Sequence, residues 1–218
     1  MKYYPVFLDT RGRNCLVVGG GRVGTRKAKT LVRSGAYVTV VSKKMCEALE
    51  KLPGIVVKRR AFHPGDLEGM FLVFAATNDA GLNQQVLTDA RAVRVLCNSA
   101  DAPGQGDFIL PAVMEQGDLI CAVSTCGASP VLAKKIRDDL AQAYGPEYAM
   151  FLLLMKAIRK KLLAAGHDPQ GHKMIFRALM EKNLPALIAA KDFAAIDTAL
   201  FELLGNGFDS TDLISQKL

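Results

Sequence analysis

Three glycines in one short run carry the clearest chemical purpose in the sequence. Val17-Val18-Gly19-Gly20-Gly21-Arg22-Val23-Gly24 holds G-x-G-x-x-G at Gly19, Gly21 and Gly24. In a strand-to-helix turn the first glycine permits the tight bend, and the second lets a pyrophosphate approach the backbone. The third lets the helix lie close on the strand. The anion then sits at a helix N-terminus, where unpaired N–H groups and the helix dipole favour negative charge. Gly20 lies inside the same run, and a nicotinamide dinucleotide is the expected ligand.

The following strand runs into Ser42-Lys43-Lys44, where many such sites place an acidic residue on the ribose hydroxyls of NAD. Ser42 and backbone amides suit NAD, whereas Lys43 and Lys44 suit the 2′-phosphate of NADP, and these residues alone leave both open. Ala75-Ala76-Thr77-Asn78-Asp79 ends another strand, so Thr77 and Asn78 are expected to line the same crevice. Cys97-Asn98-Ser99-Ala100-Asp101-Ala102-Pro103 follows the last strand of the set. A carboxylate there either orients a substrate and takes a proton, or caps the turn into Pro103. Ser124-Thr125-Cys126-Gly127-Ala128-Ser129-Pro130 gathers hydroxyls and amides at a helix start, a receptor for a substrate carboxylate. Simple N-capping accounts for Ser129 but not for Ser124 or Thr125.

Other chemistries find little support. None of the five tyrosines has a lysine four residues on, so the Tyr-x-x-x-Lys pair of short-chain dehydrogenases is missing. His63, His167 and His172 are expected as solvated loop residues, with no metal site. The five cysteines form no Cys-x-x-Cys pair. They are expected to be reduced, with Cys15, Cys97 and Cys121 inside apolar strands.

The elements that must position these groups alternate in type. Strands are expected at Asn14–Val18, Tyr37–Val41, Ile55–Val57, Phe71–Phe74 and Val93–Cys97, with helices at Val23–Ser34, closed by Gly35, and Leu82–Ala92. Such alternation implies right-handed crossovers and a doubly wound parallel sheet, a Rossmann-like α/β domain over residues 1–112. Asp107–Leu110 and Leu119–Ser124 are expected as further strands around a turn at Gln116-Gly117-Asp118. Ser129 and Pro130 then open a helix to about Ala143. Helical periods follow at 147–165, 171–181, 184–190 and 193–204. The expected divisions are therefore 1–112, a small α+β segment at 113–145, and a helical domain at 146–218.

Composition sets the bounds. The chain has 218 residues, is half apolar and only 22% charged, and its mean hydropathy is +0.16, all of which excludes a disordered chain. Ala149–Met155 is the longest apolar stretch, far short of a membrane span, and the first residues lack a secretory signal. A cytoplasmic protein is expected, with no membrane partner. The net charge of +7 favours anionic partners. No aromatic residues interleave the basic groups, so nucleic acid is not expected among them.

Six motifs, taken in order, resemble the precorrin-2 dehydrogenase family, the N-terminal module of siroheme synthase. They are Tyr4-Pro5-Val6-Phe7-Leu8; the glycine run continued through Thr25-Arg26-Lys27; Ala75–Asp79 with Asn83; Asn98–Asp101; Phe108-Ile109-Leu110-Pro111-Ala112; and Ser124-Thr125-x-Gly127-x-Ser129-Pro130. The tail beyond 146 is similar only in helical character. The resemblance implies NAD-dependent oxidation of precorrin-2 to sirohydrochlorin and, in many members, insertion of Fe(II) to give siroheme. It also implies a homodimer interlocked through about 113–145. By the same resemblance Arg22-Val23 and Lys43-Lys44 touch the dinucleotide, and Asp101 is the active-site aspartate. Thr125 fills a hydroxyl position often held by Ser, with Asn98, Ser124 and Gly127 beside the tetrapyrrole. Cys126 stands where Gly or Asn is expected. Two other readings compete: a dinucleotide-sensing regulatory module, and an NADP-dependent oxidoreductase for another anionic substrate. A sensor has no use for a crevice carboxylate beside a hydroxyl-rich helix start.

Overall fold

The computed structural model of the chain describes residues 1–102, 104–165 and 169–215. The chain divides into two compact units, Met1–Leu110 and Pro111–Leu218. The first is a Rossmann-like α/β unit. Its strands β1 (Asn14–Val18), β2 (Tyr37–Val41), β3 (Ile55–Lys58), β4 (Leu72–Ala75) and β5 (Leu96–Ser99) are all parallel, in the order β3-β2-β1-β4-β5. Its helices are α1 (Arg22–Arg33), α2 (Glu47–Glu50) and α3 (Ala80–Ala92). Successive side chains of a strand point to opposite faces, and both faces here are covered. Cys15 and Val17 pack with Ala28 and Leu31 of α1, while Leu16 and Val18 pack with Val86, Leu87 and Ala90 of α3. That double burial is why β1 reads as a continuous apolar run. The strand order reverses between β1 and β4, so their carboxyl ends open the crevice such sheets use for ligands.

Helix ends explain where the strands begin. Gly35, at φ +76°, donates its N–H to the Val32 carbonyl, and Ala36 donates to Leu31, a Schellman closure of α1. The same closure ends α3 around Arg94 at φ +58°, with Val95 N–H donating to the Ala90 carbonyl. Val93 and Arg94, expected in a strand, therefore belong to the cap, and β5 starts three residues later than expected. The expected strand at Asp107–Leu110 is absent among the described elements. Asp107 exchanges hydrogen bonds with Cys97, and the Phe108 carbonyl is taken by the Asn98 side chain. Pro111, which has no N–H, follows.

His63 is exposed but not idle. Its Nδ1 accepts from Gly65 N–H at 3.1 Å, and its own N–H donates to Asp66 at 3.0 Å, capping the 3₁₀ turn Pro64–Leu67. Asp66 is buried and meets Arg60 at 2.5 and 2.7 Å and Lys58 at 3.2 Å. The Arg60 guanidinium, chiefly, draws its carboxyl down to about 2. A depressed folded-state value stabilises the fold above the unfolded value and loses that contribution as pH falls through the folded one. Asp66→Asn should therefore cost about 2 kcal/mol at neutral pH, the partners being half exposed. The gap to wild type should narrow below the ordinary carboxylate range, as read from urea unfolding across pH.

The second unit begins with an antiparallel hairpin, β6 (Ala112–Gln116) and β7 (Leu119–Val123), joined by Gly117-Asp118. The turn falls where the sequence puts it, but β6 was not expected. Gly117 adopts φ +59°, and a Cβ there would stand 2.8 Å from that of Ala149. Helices α4 (Pro130–Ala143), α5 (Glu147–Ala164), α6 (Pro169–Glu181), α7 (Leu184–Ala190), α8 (Phe193–Leu204) and α9 (Ser210–Ser215) follow. Phe151, Leu154, Ile158 and Leu162 of α5 form the core with Leu179, Leu184, Ile196 and Leu200. His172, expected in solvent, is buried in α6, and His167 lies outside the described residues. Among the described residues no helix is long and apolar enough to cross a membrane.

Candidate active site

Each glycine of the loop after β1 has a steric reason. Gly19 adopts φ +125°, and a Cβ there would fall 2.3 Å from the Ala76 carbonyl, so the two loops at the switch point touch. A Cβ on Gly20 would meet the Lys44 carbonyl at 2.1 Å, and one on Gly24 would meet the Gly19 carbonyl at 2.1 Å with Val17 behind it. Gly21 alone of these faces open space. It occupies the N-cap of α1 without a side-chain cap, so the first N–H groups of the helix are directed at that space. A dinucleotide pyrophosphate fits this cradle: the crowded glycines shape it, and the uncrowded one leaves it room.

The other side of the crevice is built around Asn83, buried in the first turns of α3. Its Oδ1 accepts from the Thr77 N–H at 3.1 Å and the Thr77 hydroxyl at 2.8 Å, and its Nδ2 donates to the Thr77 carbonyl at 3.1 Å. Asp79 caps the same helix by accepting from Leu82 N–H at 3.0 Å, leaving Asn78 exposed at the loop tip. The Asn83 amide stands near enough to the Asp101 carboxylate to favour its ionised form, and the Ser99 hydroxyl donates to Asp101 at 2.5 Å. First Asn83 and then Ser99 hold the Asp101 carboxyl below the ordinary carboxylate value, so an exposed, ionised group stands at the carboxyl edge of the sheet. Ala100 N–H donates to the Ala75 carbonyl and ties this segment to the end of β4. Gly19, Thr77 and Asp101, far apart in sequence, are thereby brought to one edge through Ala76, Asn83 and the Ala100 tie. The sequence marked Asn83 only as part of the motif Ala75–Asp79 with Asn83 and gave it no separate role. Its signal was an amide four residues after a capping Asp, on the helix face turned to the sheet.

Asn98 is buried, and its Nδ2 donates to the Phe108 carbonyl at 2.8 Å. Phe74, its register partner on β4, meets Phe108 edge-to-face at 5.6 Å. On the same face the Lys27 amine lies over the Phe74 ring at 5.2 Å, and burial pulls it down to about 8. Beside the glycine loop, Thr25 and Cys46 form a hydrogen bond of 3.1 Å that lowers the Cys46 thiol. Burial raises Cys15 and Cys97 to about 11, consistent with their place in the sheet.

In the second unit, Ser124, Thr125 and Gly127 lie between β7 and α4. Ser124 Oγ accepts from Cys126 N–H and Thr125 Oγ1 from Ser129 N–H, each at 3.0 Å, while Ser129 Oγ caps α4 by accepting from Leu132 N–H at 3.2 Å. All three hydroxyls thus accept locally, while each O–H proton can still donate to a carboxylate. Cys126 adopts φ +54°, ahead of Gly127 at +92°, which is the physical reason Gly or Asn suits that position. Cys126→Gly should stabilise the protein by about 1 kcal/mol, read as a raised thermal midpoint.

Sheet order, switch point and glycine cradle define a Rossmann-type dinucleotide-binding protein. A family described as putative NAD(P)-binding matches residues 6–112. Siroheme synthase of Nitrosococcus oceani is 44% identical over 95% of this chain, and that of Nitrosomonas eutropha 35% over 96%; the chain spans 45% of the length of each. A solved structure titled SirC, precorrin-2 dehydrogenase, is 31% identical with a TM-score of 0.62, covering 77% of this chain and 91% of its own. The chain belongs to the precorrin-2 dehydrogenase family.

Proposed function

We propose that this protein oxidises precorrin-2 to sirohydrochlorin with NAD+ in the cytoplasm, a step of siroheme biosynthesis. The observation that carries the reading is that the glycine loop meets Ala76, Thr77 is braced by buried Asn83, and Ala100 N–H ties the Asp101 segment to the end of β4. Together these contacts set an ionised carboxylate at the sheet edge that also bears the dinucleotide cradle. Gly19, Gly20, Gly21, Arg22 and Val23 hold the pyrophosphate, with Ser42, Lys43 and Lys44 at the ribose and Thr77 and Asn78 along the crevice wall. The bound dinucleotide supplies the hydride acceptor. Loss of hydride leaves the macrocycle positively charged, and loss of a proton completes the oxidation, so one NADH and one H+ form per ring. Asp101, held ionised, opposes that developing charge and receives the proton transiently. Its lowered pKa makes it the better electrostatic partner and the weaker base. Asn98 acts by pinning the chain at Phe108, and Ser124, Thr125 and the Gly127 amide offer donors to the substrate's carboxylates. A net charge of +7 draws in such a polycarboxylate.

The segment 113–145, which in sequence follows the dinucleotide domain (1–112) and precedes the helical domain (146–218), is the proposed contact between two copies of the chain. Val113 and Ile120 of the hairpin and Val131, Leu132 and Ile136 of α4 are exposed, Val131 at 81%. Apolar exposure of this kind marks a protein interface. Sedimentation should give twice the chain mass.

Anaerobic incubation with precorrin-2 and NAD+ tests the function. Sirohydrochlorin and NADH should appear in equal amounts. A dinucleotide sensor would leave the tetrapyrrole spectrum unchanged.

A further inference from the structure

One half-buried cation of the first unit has no part in the chemistry described so far. Lys27 stands in the second turn of α1, four residues after Val23. Side chains of a helix lean back toward its N-terminus, so the Lys27 stem runs toward the glycine loop. Its amine lies over the Phe74 ring at 5.2 Å, and Phe74 meets Phe108 edge-to-face at 5.6 Å. Phe74 is the last residue but one of β4, paired in register with Val17 of β1 and Asn98 of β5. Two residues further on, the Ala76 carbonyl closes against Gly19. The amine is therefore held close to the carboxyl edge of β4, on the α1 face of the sheet. The Asp101 carboxylate stands near Asn83, on the α3 side of the same edge. Helix α1 contains no acidic residue; burial first, and then Arg26, draw the Lys27 amine down to about 8, and no carboxylate raises it. Such a group stays charged at neutral pH, and its field is poorly screened.

The strand order β3-β2-β1-β4-β5 decides which part of a dinucleotide that field acts on. The proposed function puts the ribose at the end of β2 and the pyrophosphate at the loop after β1. The nicotinamide is then left the side of β4 and β5, which is the side of Lys27. Its ring is a cation in NAD+ and neutral in NADH. We propose that the Lys27 ammonium destabilises the cationic ring of NAD+ relative to the neutral ring of NADH, and so favours hydride uptake. When hydride adds, the positive charge leaves the ring and appears on the oxidised substrate, which Asp101 opposes from the other face. The stem of Lys27 also packs on Phe74, but packing alone does not distinguish the two redox forms. The inference rests on the dinucleotide site of the proposed function and not on which substrate is oxidised, so its test needs no turnover.

The experiment is calorimetric titration of the full chain with NAD+, NADH and ADP-ribose, which lacks the nicotinamide. Lys27→Met keeps an apolar stem and loses the charge. In this variant the NADH/NAD+ affinity ratio should fall by about tenfold, through tighter binding of NAD+. Lys27→Gln should lower the ratio likewise, and Lys27→Arg should keep it near the wild-type value. ADP-ribose should bind all four proteins alike. A ratio that Lys27→Met and Lys27→Gln leave in place overturns the inference. So does an equal loss of affinity for all three ligands, which would set the ammonium against the pyrophosphate instead. A wild type that binds none of them overturns the dinucleotide site and this inference with it. Binding with the expected ratios but no oxidation of precorrin-2 supports the inference and sinks only the proposed substrate.

Discussion

Gly21→Ala should leave the fold intact and abolish useful dinucleotide binding. A Cβ at this position meets no protein atom within 4 Å, so the substitution introduces no clash within the chain. Gly21 is the N-cap of α1 with extended backbone at φ −87°, a conformation alanine adopts freely. The added methyl instead enters the space proposed for the pyrophosphate. The expected result is an unchanged thermal midpoint and a dinucleotide Kd raised by about two orders of magnitude. Gly24→Ala gives the contrast, because its Cβ would strike the Gly19 carbonyl at 2.1 Å and the protein itself should be destabilised. If Gly21→Ala bound NAD+ as the wild type does, the pyrophosphate would have to lie elsewhere.

Asp101→Asn should lower turnover of precorrin-2 by about two orders of magnitude while leaving NAD+ affinity in place. The substitution keeps the size of the side chain and removes the charge proposed to oppose the cationic macrocycle. The effect should appear in kcat more than in KM, since the charge matters most once the hydride has left. The pH dependence carries a second signature. Asn83 and Ser99 hold the Asp101 carboxyl below the ordinary value of 3.8, so this group stays ionised as pH falls to that value. Its contribution to turnover should be lost only at lower pH. Asn83→Ala should raise that threshold and loosen the Thr77 loop, a combination that no purely local role of Asn83 would give. Full turnover in Asp101→Asn would remove this carboxylate from the mechanism.

Much of the candidate site's glycine loop was legible in the sequence because its steric reasons are local. A strand, three glycines and a helix stand in one run, and the steric role of each glycine follows from its spacing. The boundaries of β1 and β2 and the Ser129-Pro130 start of α4 likewise depend on neighbouring residues alone. What escaped depended on groups brought together from a distance. Leu110 and its neighbours have the composition of a strand, but Asn98 and Asp107 commit that segment to other hydrogen bonds. Val93 and Arg94 look β-forming, yet Arg94 accepts a left-handed conformation to close α3. Asn83 entered the sequence reading only as the end of one motif, and its importance lies in bracing Thr77 while favouring the ionised Asp101 carboxylate. The hydroxyls of Ser124 and Thr125 suggested a receptor, and they also brace their own loop, a double use that composition does not disclose.

The most direct measurement follows the hydrogen itself. Precorrin-2 deuterated at the carbon that is oxidised, supplied with NAD+ and this protein, should yield nicotinamide carrying one deuterium for each sirohydrochlorin formed. Deuterium found in the water, with the reduced nicotinamide unlabelled, would contradict hydride transfer and the joint site of carboxylate and dinucleotide with it.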